Sequence, residues 1–337
     1  MESLVRHFRS SLFITLLGLA AAYYWAKLPG LAMVSILALM EISLSFDNAV
    51  VNATVLKHMD IRWQRRFLTW GMVVAVFGVR FLFPILIVSV VTGHGLGEVA
   101  VMALQAPEEY SRHLETSHTE ISAFGGMYLL LVFLSFLFQR DKSLHWLVWL
   151  ERRLAGLGKL ESIEMVLALG ALLAAQHFLA RELRLDALIA GLAGIILYVL
   201  VKSISDLFND PESVQTSVHR AGFVSFMYLE LLDLSFSLDG VIGAFAVTRD
   251  VVVILLGLTI GALFVRSLTI FLVRKRTLEE YRYLEHGAHY AIGALAVLML
   301  VDMSMPVPEL ATGLVGMGFI LLSLWSSVRY RRRNGTA

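Results

Sequence analysis

The chain has 337 residues, of which 58% are hydrophobic and 16% are charged, and its formal net charge is +1. Soluble domains are roughly 45–50% apolar and about 25% charged. The composition therefore excludes an ordinary water-soluble globule, and the near-neutral charge gives no reason to expect a nucleic-acid partner. Since cysteine is absent, disulfides, thiolate metal sites and cysteine nucleophiles are excluded as well.

Long apolar runs predict an all-α, polytopic membrane helical bundle of about ten transmembrane helices, because one span needs about 20 apolar residues. The runs lack the strict apolar–polar alternation of membrane barrel strands. They cover residues 11–28, 31–57, 66–91, 120–140, 163–180, 185–203, 219–247, 251–273, 287–302 and 308–328. The first run resembles a signal peptide, but it continues into Tyr23, Tyr24 and Trp25, which favours a retained span.

The lysines and arginines predict the orientation. With a cytoplasmic N-terminus, the inner segments carry 21 of these residues and the outer segments carry 5, as the positive-inside rule requires. Both termini are therefore expected in the cytoplasm. The basic run at Arg329–Arg333 should contact anionic lipid, the segment 140–161 should lie on the cytoplasmic membrane surface, and the segment 92–119 is predicted to be a solvated external loop.

One acidic motif occurs twice, in the second and seventh runs. The copies are Glu41-Ile-Ser-Leu-Ser45-Phe-Asp47-Asn48 and, 192 residues later, Asp233-Leu-Ser-Phe-Ser237-Leu-Asp239-Gly240. Each is followed in the next run by a Val-Arg pair that ends at Arg80 or Arg266. Since the copies are five spans apart, they run in opposite directions, as in the inverted repeats of secondary transporters. The predicted divisions are an N-terminal half, 1–183, a C-terminal half, 184–330, and a basic tail, 331–337.

Acidic side chains within the apolar runs are expensive, at about 2.5–3.5 kcal/mol for each unpaired charge. There are five: Glu41, Asp47, Glu230, Asp233 and Asp239. The two arginines can compensate two of them, and the remaining negative charge favours a cation site over an anion site. The alternative is that the acids pair with the arginines and only fix the helix register.

The predicted ligands are carboxylate, amide and hydroxyl oxygens, which suit Mg²⁺, Ca²⁺ or Mn²⁺. They are Glu41, Ser45, Asp47, Asn48, Asp233, Ser237 and Asp239, with Ser43 and Ser235 as additional hydroxyls. Glu41 and Asp47 are about 120° apart on a regular helix, so a helix break within the motif or at Gly240 would help them to share one ion. The predicted supporting residues are Glu230, Arg80, Arg266, His177 and His289.

The two histidines, His177 and His289, are candidates for a proton path because histidine titrates near neutral pH. The alternative is that both are hydrogen-bonded packing residues. No permanently bound cofactor is expected, since the divalent cation would be the substrate.

The segment Leu44-Ser-Phe-Asp47-Asn48, preceded by Glu41, resembles the signature of the TerC-like family of bacterial integral membrane proteins. The second copy, together with Glu285-His-Gly-Ala-His-Tyr-Ala-Ile-Gly293, resembles a branch of it catalogued as a domain of unknown function. The resemblance covers residues from about 30 to 325. The family is named for tellurium resistance, and several members are regarded as manganese exporters. The resemblance thus implies a bacterial inner membrane, Mn²⁺ as substrate, and ion-site roles for Glu41, Asp47, Asn48, Asp233 and Asp239.

These observations predict a secondary-active divalent cation transporter, with Mn²⁺ export as the first candidate, and not an enzyme. A P-loop motif is absent, which leaves ATP-driven pumping without support. There are two alternative classes. One is a membrane scaffold of a stress-resistance system, which predicts cytoplasmic loops longer than the roughly 20 residues expected here. The other is a membrane-embedded enzyme with paired aspartates. The expected partners are the metal ion and membrane lipid, and a homo-oligomer is left open.

Overall fold

The computed structural model describes residues 2–139, 142, 144–157, 162–208, 214–275 and 280–333. All regular elements in these ranges are helices, and no strand occurs among them. Seven helical segments there are long and apolar enough to cross a membrane: Ser11–Leu44, Ile61–Val90, His118–Phe138, Arg181–Ile204, Val251–Arg274, Leu284–Asp302 and Ala311–Arg333. The chain is therefore a polytopic membrane helical bundle, as predicted. The count of about ten spans stays a prediction.

The helices follow one another in chain order as α1 to α14. Their bounds are α1 Glu2–Leu44, α2 Phe46–Leu56, α3 Ile61–Val73, a π-helical segment Val74–Leu82, α4 Phe83–Thr92, α5 Leu96–Gln105, α6 Pro107–Thr116, α7 His118–Phe138, α8 Val148–Leu157, α9 Ile163–His177, a 3₁₀ turn Arg181–Leu183, α10 Arg184–Phe208, α11 Val214–Val247, α12 Val251–Arg274, α13 Leu284–Asp302 and α14 Glu309–Arg333.

The chain forms two compact units. The first unit comprises Met1–His118 and Val218–Lys275, and the second comprises Thr119–Ser217 and Arg276–Ala337. Each unit thus combines segments of both repeat halves. The halves 1–183 and 184–330 and the tail 331–337 stay a prediction from the repeat, and residues 334–337 of the tail lie outside the described residues.

Helix α1 reverses direction in the middle. Its backbone leaves helical geometry at Ala26 and Lys27, where Lys27 has a φ of 55°. Before this point, Ser11 donates a hydrogen bond to the Leu263 carbonyl and Trp25 donates to Asp250, so the contacts move toward the start of α12. After it, the contacts move back along α12, as the close approach of Glu41 to Gly261 shows. The predicted boundary between the first two spans, at residues 29–30, is therefore two to four residues after the observed reversal.

A break separates α1 from α2 within the first copy of the acidic motif. Ser45 lies between the two helices with φ −98° and ψ 18°, so the helix break predicted for this copy is present. In the second copy, α11 continues without interruption through Gly240. The break considered at Gly240 is therefore wrong, and the two copies differ in backbone conformation.

The two copies cross in opposite directions within the first unit. Glu41 lies against Gly240, whereas Asn48, seven residues later, contacts Asp233, seven residues before Gly240. The residue numbers of the contacting positions increase along one helix as they decrease along the other, which defines an antiparallel pair. This is the arrangement that the inverted repeat predicts.

The span that carries Arg80 contains a nine-residue π-helical segment. Pro84 follows it and has no N–H to donate to the carbonyl one turn earlier. The N–H of Phe83 instead reaches the Gly78 carbonyl, five residues back, which is the hydrogen-bond pattern of a π-helix. The other arginine, Arg266, lies in the regular helix α12.

The segment 92–119, predicted to be a solvated external loop, is more ordered than predicted. It forms α5 and α6, which bury Val99, Ala103, Tyr110 and Leu114. The prediction of a solvated loop is wrong for this segment, because its apolar residues recur at helical spacing and cover one face of each short helix.

In the second unit, α8 is fixed to α13 through the buried carboxylate of Glu151. Its Oε1 accepts hydrogen bonds from the Trp146 and Leu147 N–H groups and from the Tyr290 hydroxyl. Trp149 on the same helix is 67% exposed. This matches an amphipathic helix whose apolar face is available to lipid.

Candidate functional site

Five charged side chains, from the motif helices and from the helices that follow them, meet in the interior of the first unit. Glu41 comes from α1, Arg80 from the π-helical segment, Asp233 and Glu230 from α11, and Arg266 from α12. All five are buried, with 2–5% of each residue exposed. We call these five residues the charge network.

The charges of the network alternate in sign. Arg80 Nη2 lies 2.5 Å from Glu41 Oε1, and Arg80 Nη1 lies 3.8 Å from Asp233 Oδ2. Arg266 Nη2 lies 3.7 Å from the same Asp233 oxygen and 3.1 Å from Glu230 Oε2. Asp233 is therefore shared between two guanidinium groups, while Glu41 and Glu230 each pair with one.

Three glycines make room for the charge network. A Cβ at Gly71 would overlap Arg266 and Glu230, and a Cβ at Gly261 would overlap the Cβ and Cγ atoms of Glu41. A Cβ at Gly240 would lie 3.0 Å from Glu41 Oε2. The acids can therefore lie between closely packed helices only because these positions have no side chain.

The first motif copy places Ser45, Asp47 and Asn48 at the start of α2, and all three are buried. The Ser45 hydroxyl donates to Glu41, and Asp47 accepts a hydrogen bond from the N–H of Asn48. Among the described residues, no cationic side chain pairs with Asp47. The Asn48 N–H and the positive end of the α2 dipole offset only part of the cost of burying its charge.

Four buried oxygen atoms on α2 and α11 accept no hydrogen bond from the described residues. They are Asn48 Oδ1, Asn52 Oδ1, Ser237 Oγ and Asp233 Oδ2, of which the last is ion-paired with both arginines. Asn48 is held in place by its Nδ2 group, which donates to Asp233 Oδ1 at 2.9 Å. We call these four atoms the oxygen set. Asn52 was missed in the sequence, although it lies one helical turn after Asn48 and so shares its face.

Formal charges at the crossing do not cancel. The described carboxylates are Glu41, Asp47, Glu230 and Asp233, and with two arginines they leave two negative charges. Within the described ranges, no group of three or more His, Cys, Asp or Glu side chains is arranged to hold a metal ion. An ion here would therefore rely on amide and hydroxyl oxygens as well as carboxylates.

Several sequence-predicted residues lie elsewhere or cannot be placed. The side chain of Asp239 is outside the described part, so its role stays a prediction. Ser43 is exposed and donates to the Leu39 carbonyl, and Ser235 donates to the Leu231 carbonyl. These two hydroxyls are used within their own helices.

Both predicted histidines belong to the second unit. His177 is exposed at the end of α9, and its ring lies 6.0 Å from that of Phe178. His289 is hydrogen-bonded through Nδ1 to the Glu285 carbonyl and is stacked on Phe136 at 3.9 Å. His289 has the contacts of a packing residue, whereas His177 is exposed, and the role of both in a proton path stays a prediction.

The fold and the site define a class: a polytopic helical membrane protein whose antiparallel motif helices enclose a buried, partly compensated cluster of charges. The chain matches the family described as a protein of unknown function (DUF475) over residues 46–334. It belongs to that family. The match includes both arginines and all of the second motif copy, and it begins after Glu41. No curated protein matches the chain, and no solved structure matches it.

Proposed function

We propose that the chain is a secondary-active transporter of a divalent metal cation, which binds where α2 crosses α11. The observation that carries the proposal is the oxygen set beside the charge network. A buried acceptor without a partner costs about 1–3 kcal/mol. A cation is the ligand that satisfies several oxygen acceptors together, because each amide, hydroxyl or carboxylate oxygen can coordinate it directly.

The charge balance supports a divalent ion. Among the described side chains, two formal negative charges remain after Arg80 and Arg266 are counted, so a divalent cation would neutralise these charges and a monovalent one would leave one of them. Oxygen donors without sulfur or imidazole are typical of sites for Mg²⁺, Ca²⁺ and Mn²⁺. We take Mn²⁺ as the first candidate because of the TerC-like resemblance of the first motif.

The antiparallel crossing supports transport over static binding. Inverted repeats that meet at a buried ion site allow one half to rock against the other and expose the site to each side in turn. The distribution of lysine and arginine supports a cytoplasmic location of both termini, and the TerC-like resemblance supports a bacterial inner membrane. The proposal includes no catalytic reaction and no resident cofactor.

The test is ion flux in sealed liposomes that contain the purified full-length chain. Mn²⁺, Ca²⁺ and Mg²⁺ are compared with and without a pH gradient. We expect Asp47→Asn and Asp233→Asn to abolish metal flux, because each removes a carboxylate of the crossing. Asp47→Asn is the cleaner variant, since it leaves every ion pair of the charge network intact.

The matched control is Asp186→Asn, the same chemical change at an exposed carboxylate in the first turn of α10. It should retain wild-type flux. Wild-type flux from a folded Asp47→Asn variant would contradict the proposed site. Absence of flux from the wild-type chain with every ion would contradict the proposed function.

A further inference from the structure

The two motif copies provide equivalent contacts, but their arginines are not equivalent. At the 192-residue spacing, Glu41 corresponds to Asp233 and Asn48 corresponds to Gly240. The contacts between Glu41 and Gly240 and between Asp233 and Asn48 are thus one contact made twice. The symmetry fails one turn earlier, where the second copy has Glu230 and the first has Ala38.

Arg266 is fixed by four interactions. Its Nη2 donates to both oxygens of Glu230, at 3.2 and 3.1 Å. Its Nη1 donates to the Phe67 carbonyl at 2.6 Å, and its guanidinium group lies 4.2 Å from the centre of the Phe67 ring. Each arginine has a carboxylate of its own, but Arg266 is also held by the Phe67 carbonyl and ring of another helix, so it would keep its position if the charge of Asp233 were taken by another cation.

Arg80 is held differently. It donates to Glu41 and to the Ala75 carbonyl of its own helix, and its Nε has no hydrogen-bond partner. Its Nη1 lies 3.8 Å from Asp233 Oδ2, which is an ion pair without a hydrogen bond. Arg80 also belongs to a π-helical segment, a type of helix that is frequent at functional sites. Neither arginine donates a hydrogen bond to Asp233 Oδ2, at 3.8 Å from Arg80 and 3.7 Å from Arg266, but Arg80 has fewer other contacts that fix its guanidinium group, so it is the one that can move away from Asp233.

We propose that Arg80 is a tethered counter-ion for Asp233 that the transported cation displaces, and that Arg266 remains in place throughout. This inference rests on the proposed function. A cation bound at Asp233 Oδ2 and the Arg80 guanidinium group would compete for the same oxygen, and their like charges would repel each other. Arg80 keeps its pairing with Glu41 in both states. Asp233 has Arg80 as a positive neighbour in the empty transporter and the bound cation in the loaded one.

Mn²⁺ affinity and flux distinguish this role from a structural one. The full-length chain is titrated with Mn²⁺ in detergent by calorimetry and is then reconstituted for flux. We expect Arg80→Gln to bind Mn²⁺ about tenfold more tightly than wild type, which corresponds to about 1.4 kcal/mol, since the competing charge is gone. Its net flux should fall while Mn²⁺–Mn²⁺ exchange persists, because the empty site can no longer return in a compensated state.

Arg266→Gln is the matched control. It leaves Glu230 buried without its partner, so we expect a lower melting temperature and less folded protein. Because Arg266 Nη2 lies 3.7 Å from the same Asp233 oxygen, its loss should also tighten Mn²⁺ binding by the folded fraction, but by less than Arg80→Gln does, since Arg266 is not displaced when the cation binds. Equal tightening by both variants would overturn the distinction between the two arginines.

Arg80→Lys decides the matter if Arg80→Gln does not fold. A lysine keeps a charge for Glu41, but its single ammonium group lacks the fork that reaches Asp233 at the same time. It should also bind Mn²⁺ more tightly than wild type. If wild type binds and transports Mn²⁺ and neither folded Arg80 variant binds it more tightly, the Arg80 inference is wrong and the proposed function stands. A wild-type chain that binds no divalent ion overturns both.

Discussion

The close approach of α12 to Glu41 predicts that Gly261→Ala destabilises the protein. The new Cβ would overlap the Cβ and Cγ atoms of Glu41 and would lie 3.2 Å from the Ala38 carbonyl oxygen. These atoms are at or next to the backbone, so they cannot swing away and the helices must separate. Overpacking of this kind costs about 1–3 kcal/mol, against a gain in helix propensity of up to about 1 kcal/mol.

The matched control is Gly170→Ala in α9, where nothing lies within 4 Å of the new Cβ. Both variants replace glycine inside a helix, so the propensity gain is common to both and their difference isolates the steric cost. We expect Gly261→Ala to melt several °C below Gly170→Ala, at about 2–4 °C per kcal/mol for a domain of this size.

Thermal melting in detergent, followed by tryptophan fluorescence, measures this difference. Mn²⁺ flux measures its consequence at the site, since a displaced Glu41 would weaken its pairing with Arg80. Equal melting temperatures for the two variants would refute the close approach, and with it the position of Glu41 between α11 and α12.

Two further predictions concern stability. Asp250 caps α12, since its carboxylate accepts hydrogen bonds from the Val252 and Val253 N–H groups at 2.9 and 3.2 Å. Asp250→Ala should therefore cost about 1 kcal/mol of stability, and Asp250→Ser much less. Thermal melting measures both losses, and equal losses would argue against the cap. Burial lowers the pKa of Lys142 from 10.5 to about 8. The charged amine therefore destabilises the folded protein below pH 8, and this cost is lost as the pH rises toward 10.5. Lys142→Met should raise the Tm at pH 7 and should remove the increase in Tm that wild type shows between pH 8 and pH 10.5. The exposed-residue control Lys275→Met should do neither. A lower Tm for Lys142→Met would contradict the prediction.

The sequence was sufficient for the features that depend on long apolar runs and on the repeat. The reversal at Ala26 and Lys27 lies within four residues of the predicted boundary between the first two spans, and the antiparallel crossing follows from the odd spacing of five spans from one motif copy to the other. The meeting of Glu41, Asp233 and the two arginines follows from the cost of unpaired charges in lipid. These features depend on the length of the apolar runs, on the cost of charge in lipid and on the number of spans, all of which can be read from the sequence.

Features that depend on local hydrogen bonding were not predictable in the same way. A serine inside a helix can donate to the carbonyl one turn back, as Ser235 does to Leu231, and this leaves α11 intact through the second motif. In the first copy Ser43 makes the same bond, yet the helix breaks at Ser45. The acidic and serine positions coincide in both copies, so the polar pattern alone does not distinguish the broken helix from the continuous one.

The surplus of acid over arginine, and not the ion pairs themselves, indicates function. Replacement of a buried ion pair by apolar side chains is often neutral or stabilising, so the pairing of Arg266 with Glu230 is weak evidence for any purpose beyond compensation. Asp47 is different: it is buried without a cationic partner in the described part of the chain, at the one point where a motif helix is broken. A bundle that required only stability would gain by losing this charge. Its position at the helix break beside Asn48 is explained if the missing partner is an ion that comes and goes.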